Sequence, residues 1–137
     1  MVLFEIAKAG YVLYAIGKNE NFCQLLDFID SLQSNLQKDR DRMLALLERA
    51  AEKGPPRNTD ISHLIKNEIF EFIQGRLRVL WFYDEGKLIL CTQGFIKKTQ
   101  KTPTSEIDLA ISFKEKYFKA KKKGPLKIIK REKKVNQ

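Results

Sequence analysis

Apolar residues change their spacing several times along this chain, and each change predicts a different kind of element. Residues 2–16, VLFEIAKAGYVLYAI, are dense in Val, Ile, Phe and Tyr and are interrupted by Gly10. That pattern predicts one or two strand segments with a break or bulge at the glycine. After Asn19 to Asn21 the period changes. Phe22, Leu25, Leu26, Phe28, Ile29 and Leu32 recur at spacings of three and four, which predicts a helix over about 22–36. A second helix is expected over 39–53, with Met43, Leu44, Leu46, Leu47 and Ala50 as its apolar stripe. Asp39 and Asp41 fall in its first turn and Lys53 in its last, as the helix dipole prefers. Gly54, Pro55 and Pro56 then stop it. Two helices with a short join read as a helical hairpin.

From Leu64 the strand signal returns. EIFEFI (68–73) sets Phe70 and Phe72 against Glu71 and Ile73, and Gln74-Gly75 supplies a turn. RLRVLWFY (76–83) is the clearest strand in the chain. Asp84, Glu85 and Gly86 form a hairpin turn, and KLILCTQGF (87–95) is the return strand. Three short strands in succession predict an antiparallel meander. Thr102 as N-cap and Pro103 at the first helical position open a last helix. Its buried stripe is Ile107, Ala110, Ile111, Tyr117 and Phe118, and Gly124-Pro125 ends it. LKIIKREKKVNQ follows, either as a short edge strand or as a disordered segment. The order β-αα-βββ-α describes an α+β domain over 1–123, its helices packed on one face of the sheet, with a basic tail over 124–137.

Charge adds what the apolar pattern does not show. The net charge is +9. Residues 114–137 hold 11 Lys/Arg against 2 Asp/Glu, whereas the first 113 residues hold 15 of each sign. A neutral body with a basic tail points to an acidic partner such as nucleic acid. The bland alternative is a solvated tail. At 137 residues the chain can bury one sizeable core without staples. No apolar run reaches 18 residues, so no transmembrane helix and no membrane partner are expected. MVLFEIAKAG lacks a basic n-region and reads as structure rather than signal peptide. Cys23 and Cys91 have no metal spacing and sit in apolar contexts, as buried thiols of a reducing cytoplasm would.

Familiar catalytic signatures are missing: there is no Gly-rich phosphate loop, HExxH, GxSxG or CxxC. The one histidine, His63, reads as structural or exposed, and nothing orients a Cys91–His63 dyad. Two cationic groupings remain. Arg76 and Arg78, two apart on a strand, share a face with Leu80 and Phe82. They offer forked donors of the kind that hold phosphate, or else they lie on the solvent side of a half-exposed sheet. The stretch GFIKKTQKTP (94–103) carries Lys97, Lys98 and Lys101 at the sheet's edge, between the last meander strand and a helix start. Backbone N–H groups at such a start favour anions. Crowded like charges disfavour the charged form, which is how a lysine becomes available as a general base. Cleaving RNA needs a base for the ribose 2′-OH, cations for the phosphorane, and an acid for the leaving 5′-oxygen. Neither a metal nor a histidine is obligatory.

The residues IFEF (69–72), LRVLWF (77–82) and LILCTQGFIKKTQKTPTSEIDLA (88–110) resemble the phage-derived branch of the HigB/RelE toxins. The run from Phe95 to Ala110 follows that family's Phe-x-Lys-Lys-Thr-x-Lys-Thr-Pro and Glu-Ile-x-x-Ala, and LDFIDSL (26–32) is similar to its first helix. The likeness covers about residues 26–118. It implies a RelE/ParE-like α+β toxin of a type II toxin–antitoxin pair. Such a toxin is a cytoplasmic endoribonuclease that needs no cofactor and cuts mRNA, usually on the ribosome. A helix-turn-helix antitoxin silences it. The resemblance also implies roles. Arg78 becomes the phosphate and transition-state stabiliser, with Arg76 assisting. Lys97 or Lys98 becomes base or electrostatic clamp, and Lys101 and Lys66 become RNA contacts. Glu71 matches the Glu of the family's first meander strand. Tyr83 is a candidate for stacking or acid that alternates away from Arg78. The tail would add salt-sensitive phosphate contacts.

The chain departs from the family pattern at Ile73, often arginine, at Leu77, usually tyrosine, and at Thr92-Gln93, commonly Leu-His. A sister branch with the same fold poisons gyrase, so a non-catalytic gyrase inhibitor is a rival reading. A phage accessory protein that binds nucleic acid is another.

Overall fold

The computed structural model describes residues 1–130. The first apolar run folds back on itself as a hairpin: β1 (Val2–Lys8) and β2 (Val12–Asn19) pair antiparallel on either side of Gly10. The helix expected over 22–36 is replaced by three pieces. Phe22–Cys23 forms a short β3 against β2, α1 covers only Gln24–Asp30, and Ser34–Leu36 is a single 3-10 turn. Ser31 ends α1 early, its N–H bonding the Asp27 carbonyl (3.0 Å) and its hydroxyl the Phe28 carbonyl (2.8 Å). The three-and-four spacing was real, but Leu25, Ile29 and Leu36 are buried from two separate elements. Helix α2 (Gln37–Lys53) follows, its apolar stripe buried as the periodicity predicts. Both helices pack chiefly on the sheet.

The meander has four strands, not three: β4 (Ser62–Lys66), β5 (Ile69–Gln74), β6 (Leu77–Tyr83) and β7 (Leu88–Ile96). β4 is hard to read because its alternation is inverted, with Ser62 buried and Leu64 exposed. Its link to β5 is a tight turn in which Asn67 and Glu68 both take positive φ (51° and 61°). The last helix, α3, runs from Thr104 to Lys122, and β8 (Ile128–Lys130) adds alongside β1 in parallel. Of the two readings of the segment after Gly124, the edge strand is therefore the one observed over 128–130. Residues 131–137 lie outside the described residues.

The sheet order is β4-β5-β6-β7-β2-β1-β8, with β3 beside β2, and the β7–β2 pairing is parallel. Two expectations change. The basic stretch leaves the end of a central strand, not an edge, because the N-terminal hairpin docks against β7. Helices cover both faces, not one. Val79 and Trp81 of β6 join the core under α1 and α2, whereas Leu80 and Phe82 join the core under α3. A strand covered on both sides is buried at nearly every position, which is why β6 reads as an almost unbroken apolar run. The half-exposed sheet that would have put Arg78 in solvent does not exist. Close approach also dictates Gly94: a Cβ there would lie 2.5 Å from the Phe28 ring, so glycine lets α1 settle on β7.

One polar node locks α3 to the β6–β7 turn. Asp84 Oδ2 accepts from the Tyr117 hydroxyl (2.5 Å) and the Lys121 ammonium (2.6 Å), and Oδ1 accepts the Glu85 N–H (2.8 Å). Burial by itself would raise the Asp84 pKa, but the hydrogen bonds from Lys121 and Tyr117 outweigh it and hold the carboxyl below its ordinary value. A carboxylate with a depressed folded pKa contributes stability above its unfolded value and loses it as the pH falls through the folded one. Asp84→Asn should therefore cost about 1.5–3 kcal/mol at pH 7. In urea unfolding the gap from wild type should narrow as the pH falls below about 4.

Candidate functional site

The β5–β6 hairpin turns at Gly75 and Arg76. Gly75 takes φ 57°, and a Cβ there would lie 2.4 Å from Asp39 Oδ2. Arg76 is thus on the exposed turn rather than in the strand. Across the sheet Leu77 pairs with Ile96, and the Lys97 N–H bonds the Arg76 carbonyl (2.7 Å). Those two contacts bring the arginine turn and the lysine stretch together at one end of the sheet. Gly75, Arg76, Arg78, Lys97, Lys98, Thr99 and Gln100 line an open hollow of about 470 Å³. A neighbouring hollow of about 430 Å³ includes His63, Glu71, Lys101 and Thr102 and shares Lys97 and Gln100 with the first. The two make one cation-lined groove. Arg76, Arg78, Lys97, Lys98 and Lys101 all border it. Lys66, exposed at the end of β4, lines neither hollow.

The groove stands on a buried carboxylate. Glu71 of β5 is fully buried beside Arg78 of β6. Its Oε2 accepts from the Thr102 hydroxyl (2.8 Å). Its Oε1 lies 3.1 Å from His63 Nε2 and 4.0 Å from Arg78 Nε, without a hydrogen bond to either. Compensation on that side is by charge proximity. The His63 ring is held from behind, its Nδ1 3.0 Å from the Thr59 carbonyl. Arg78 Nη1 donates to the Gly75 (2.7 Å) and Leu77 (2.9 Å) carbonyls, so part of its fork is spent on the hairpin turn. Burial lowers the Arg78 pKa, and Glu71 opposes that shift. Arg78 is therefore the floor of the groove, and the cations that meet solvent are Arg76, Lys97, Lys98 and Lys101.

Thr102 does not cap α3. Pro103 occupies the N-cap position, with no side-chain cap, because the threonine hydroxyl is engaged by Glu71. The first turn of α3 is tied instead by Gln93, whose amide donates to the Glu106 carbonyl (2.8 Å). At the other family departures, Leu77 and Thr92 are buried, Leu77 in the core under α1 and α2, while Ile73 is half-buried and pairs with Arg78. Tyr83 packs edge-on against Phe70 and Trp81, on the side away from Arg78 as alternation required. A Cys91–His63 dyad is absent. Cys91 is wholly buried in the core under α1 and α2, where burial pushes its thiol pKa up, while His63 meets Glu71.

Sequence reasoning missed the role of His63. Its signal was register: His63 and Glu71 are direct partners of the β4–β5 pair. A lone Glu between Phe70 and Phe72 was the other sign, since a carboxylate in a buried strand needs partners from its neighbours.

A mixed sheet between helices, with N-terminal strands and a late helix after β7, is consistent with the RelE-like fold. Residues 27–115 match the family described as phage derived protein Gp49-like (DUF891), a family of RelE/HigB-like toxins, and the chain belongs to it. The matched span contains the whole groove and stops within α3. No curated protein matches the chain. Among the described residues, no helix is long and apolar enough to cross a membrane.

Removing one member of a buried charged cluster leaves the others uncompensated. Glu71→Ala should cost about 3 kcal/mol, and Thr102→Val about 1–3 kcal/mol. Arg76→Ala, on the exposed turn, should stay within about 0.5 kcal/mol. Urea unfolding of the three variants checks this order.

Proposed function

We propose that this protein is the toxin of a toxin–antitoxin pair and that it halts translation by cutting mRNA in the basic groove, on the ribosome. The observation that carries this reading is the convergence of Arg76, Lys97 and Lys98 on one hollow above the buried Arg78. A scissile phosphate seated there is surrounded by fixed positive charge, which stabilises the extra negative charge of a phosphorane more than that of the ground state. Lys97 or Lys98 takes the proton of the ribose 2′-OH. The 2′-oxygen attacks phosphorus, the P–O5′ bond breaks, the 5′-oxygen takes a proton from the ammonium of the other lysine of the pair, and the products are a 2′,3′-cyclic phosphate and a 5′-hydroxyl. Arg78 contributes its field from the floor and, with Glu71, keeps the hairpin turn in place. Lys101, and Lys66 further out, hold the backbone of the bound strand. Every step belongs to side chains, and none calls for a metal. The partner that silences the groove is a helix-turn-helix antitoxin in the same cytoplasm.

The test is expression of the wild type against Arg76→Ala/Lys97→Ala/Lys98→Ala. Wild type should arrest growth and create new mRNA 5′-hydroxyl ends. The variant should lose at least about 100-fold in cleavage, as expected for removing transition-state charge donors, and should permit growth. Growth arrest with intact transcripts and a DNA-damage response would overturn the reading in favour of a gyrase poison.

A further inference from the structure

The unbalanced charge of this chain has a second address. Helix α3 carries Lys114, Lys116, Lys119, Lys121 and Lys122, and Lys123 stands at its C-cap. Two of these are partnered toward the sheet. Lys121 is bound to Asp84, and Lys114 donates to the Asn67 carbonyl (2.9 Å) with Glu68 3.8 Å away. The other four, Lys116, Lys119, Lys122 and Lys123, are exposed and have no acidic partner among the described residues. At 100° per residue they fall within an arc of about 120°, opposite the buried Ala110 and Tyr117, and span about 10 Å of helix axis. Two acidic side chains share that arc, Glu115 beside the lysines and Asp108 about two turns before Lys116.

A helix C-terminus favours a cation or two, but the dipole does not call for four on one outward stripe. Like charges at three and four residues' separation repel by a few tenths of a kcal/mol per pair. An arrangement that repels itself is relieved by an external polyanion. The stripe also lies beyond residue 115, where the match to the family ends.

We infer that Lys116, Lys119, Lys122 and Lys123 form a second nucleic-acid-binding surface, separate from the groove, that grips the phosphate backbone without reading sequence. A membrane surface fits less well. The exposed side chains of that arc are Ser105, Asp108, Glu115 and the lysines, and the apolar Ile111, Phe113 and Phe118 that border it are half-buried on the sheet side rather than presented to a bilayer. Of the large exposed apolar residues, Leu64, Tyr83 and Ile128 are on other elements, and Phe22 of β3 alone shares a hollow with one stripe residue, Lys116. Rigid presentation matters as much as charge. The stripe is held by the Asp84 node, so four cations keep a fixed spacing that a flexible tail would not.

The experiment uses 2′-O-methyl RNA, which cannot be cleaved, as a labelled single strand and as a duplex, titrated with the full chain at several salt concentrations. Replacing all four lysines with glutamine should weaken binding at least 10-fold at about 0.1 M salt and lower the slope of log K against log salt by about 3. The matching four-fold arginine variant should bind as wild type does. Arg76→Ala/Lys97→Ala/Lys98→Ala should keep the contribution of the stripe, so a failure of the groove reading is separable from a failure of this one. An unchanged affinity and slope in the folded glutamine variant, checked by circular dichroism, overturns the proposal. So does unchanged RNA binding accompanied by lost binding to vesicles of anionic phospholipid.

Discussion

A carboxylate with no access to water governs the functional end of this molecule. Glu71 sits where three pieces of chain meet, and each supplies one partner: His63 from β4, Arg78 from β6, and Thr102 from the β7–α3 connection. An ionised group in a protein interior is tolerated only when its surroundings compensate it. The requirement works in both directions. The partners surround the Glu71 carboxyl, and Glu71 fixes where they stand. Through Thr102 it sets the end of the segment that carries Lys97, Lys98 and Lys101. Through Arg78, whose guanidinium also bonds the Gly75 carbonyl, it steadies the turn that carries Arg76. The exposed cations of the groove stand on an end of the sheet that one buried carboxyl ties together.

The sheet supplies the frame for that arrangement. Both its faces are covered, and burying the large aromatics of β6 on two sides gives the central strands most of the available hydrophobic stabilisation. Charge in such a frame is confined to strand ends and connections. The groove occupies the end of β6 and β7 where Lys97 closes on the Arg76 carbonyl. The Asp84 node occupies the opposite end of the same two strands. One hairpin thus carries the cationic groove at one end and the anchor of α3 at the other.

Much of this was legible in the sequence. The glycine break at Gly10, the period of α2 and the alternation of β6 correspond to real features, because each is a local preference of a few residues. Arg76, Lys97, Lys98 and Lys101 were identified by residue type and spacing, and they do share a groove. What sequence could not supply was non-local. The parallel pairing of β2 with β7 leaves no local trace, so the basic stretch was assigned to an edge. Leu64 faces outward on β4, so that strand went unseen. Thr102 was read as a cap because its hydroxyl has a local use. Its actual partner, Glu71, is 31 residues away. Residue type and spacing also pointed to Arg78, which borders the hollow, but they could not show that part of its guanidinium is spent on the Gly75 and Leu77 carbonyls.

The pairing of β2 with β7 sets the order in which the molecule can be assembled. Val12 lies against Leu88, so β2 is made long before the strand that will neighbour it exists. Contacts between such distant segments form late, since a large loop must close before they give anything back. Until then the hairpin β1–β2 has no central sheet to join, and α3 has no completed face to cover. A chain still being synthesised holds its lysine stretch without the frame that aims it. The groove becomes a groove only once β7 and the connection to α3 have been made and docked on the earlier strands, so these pieces mature as a unit.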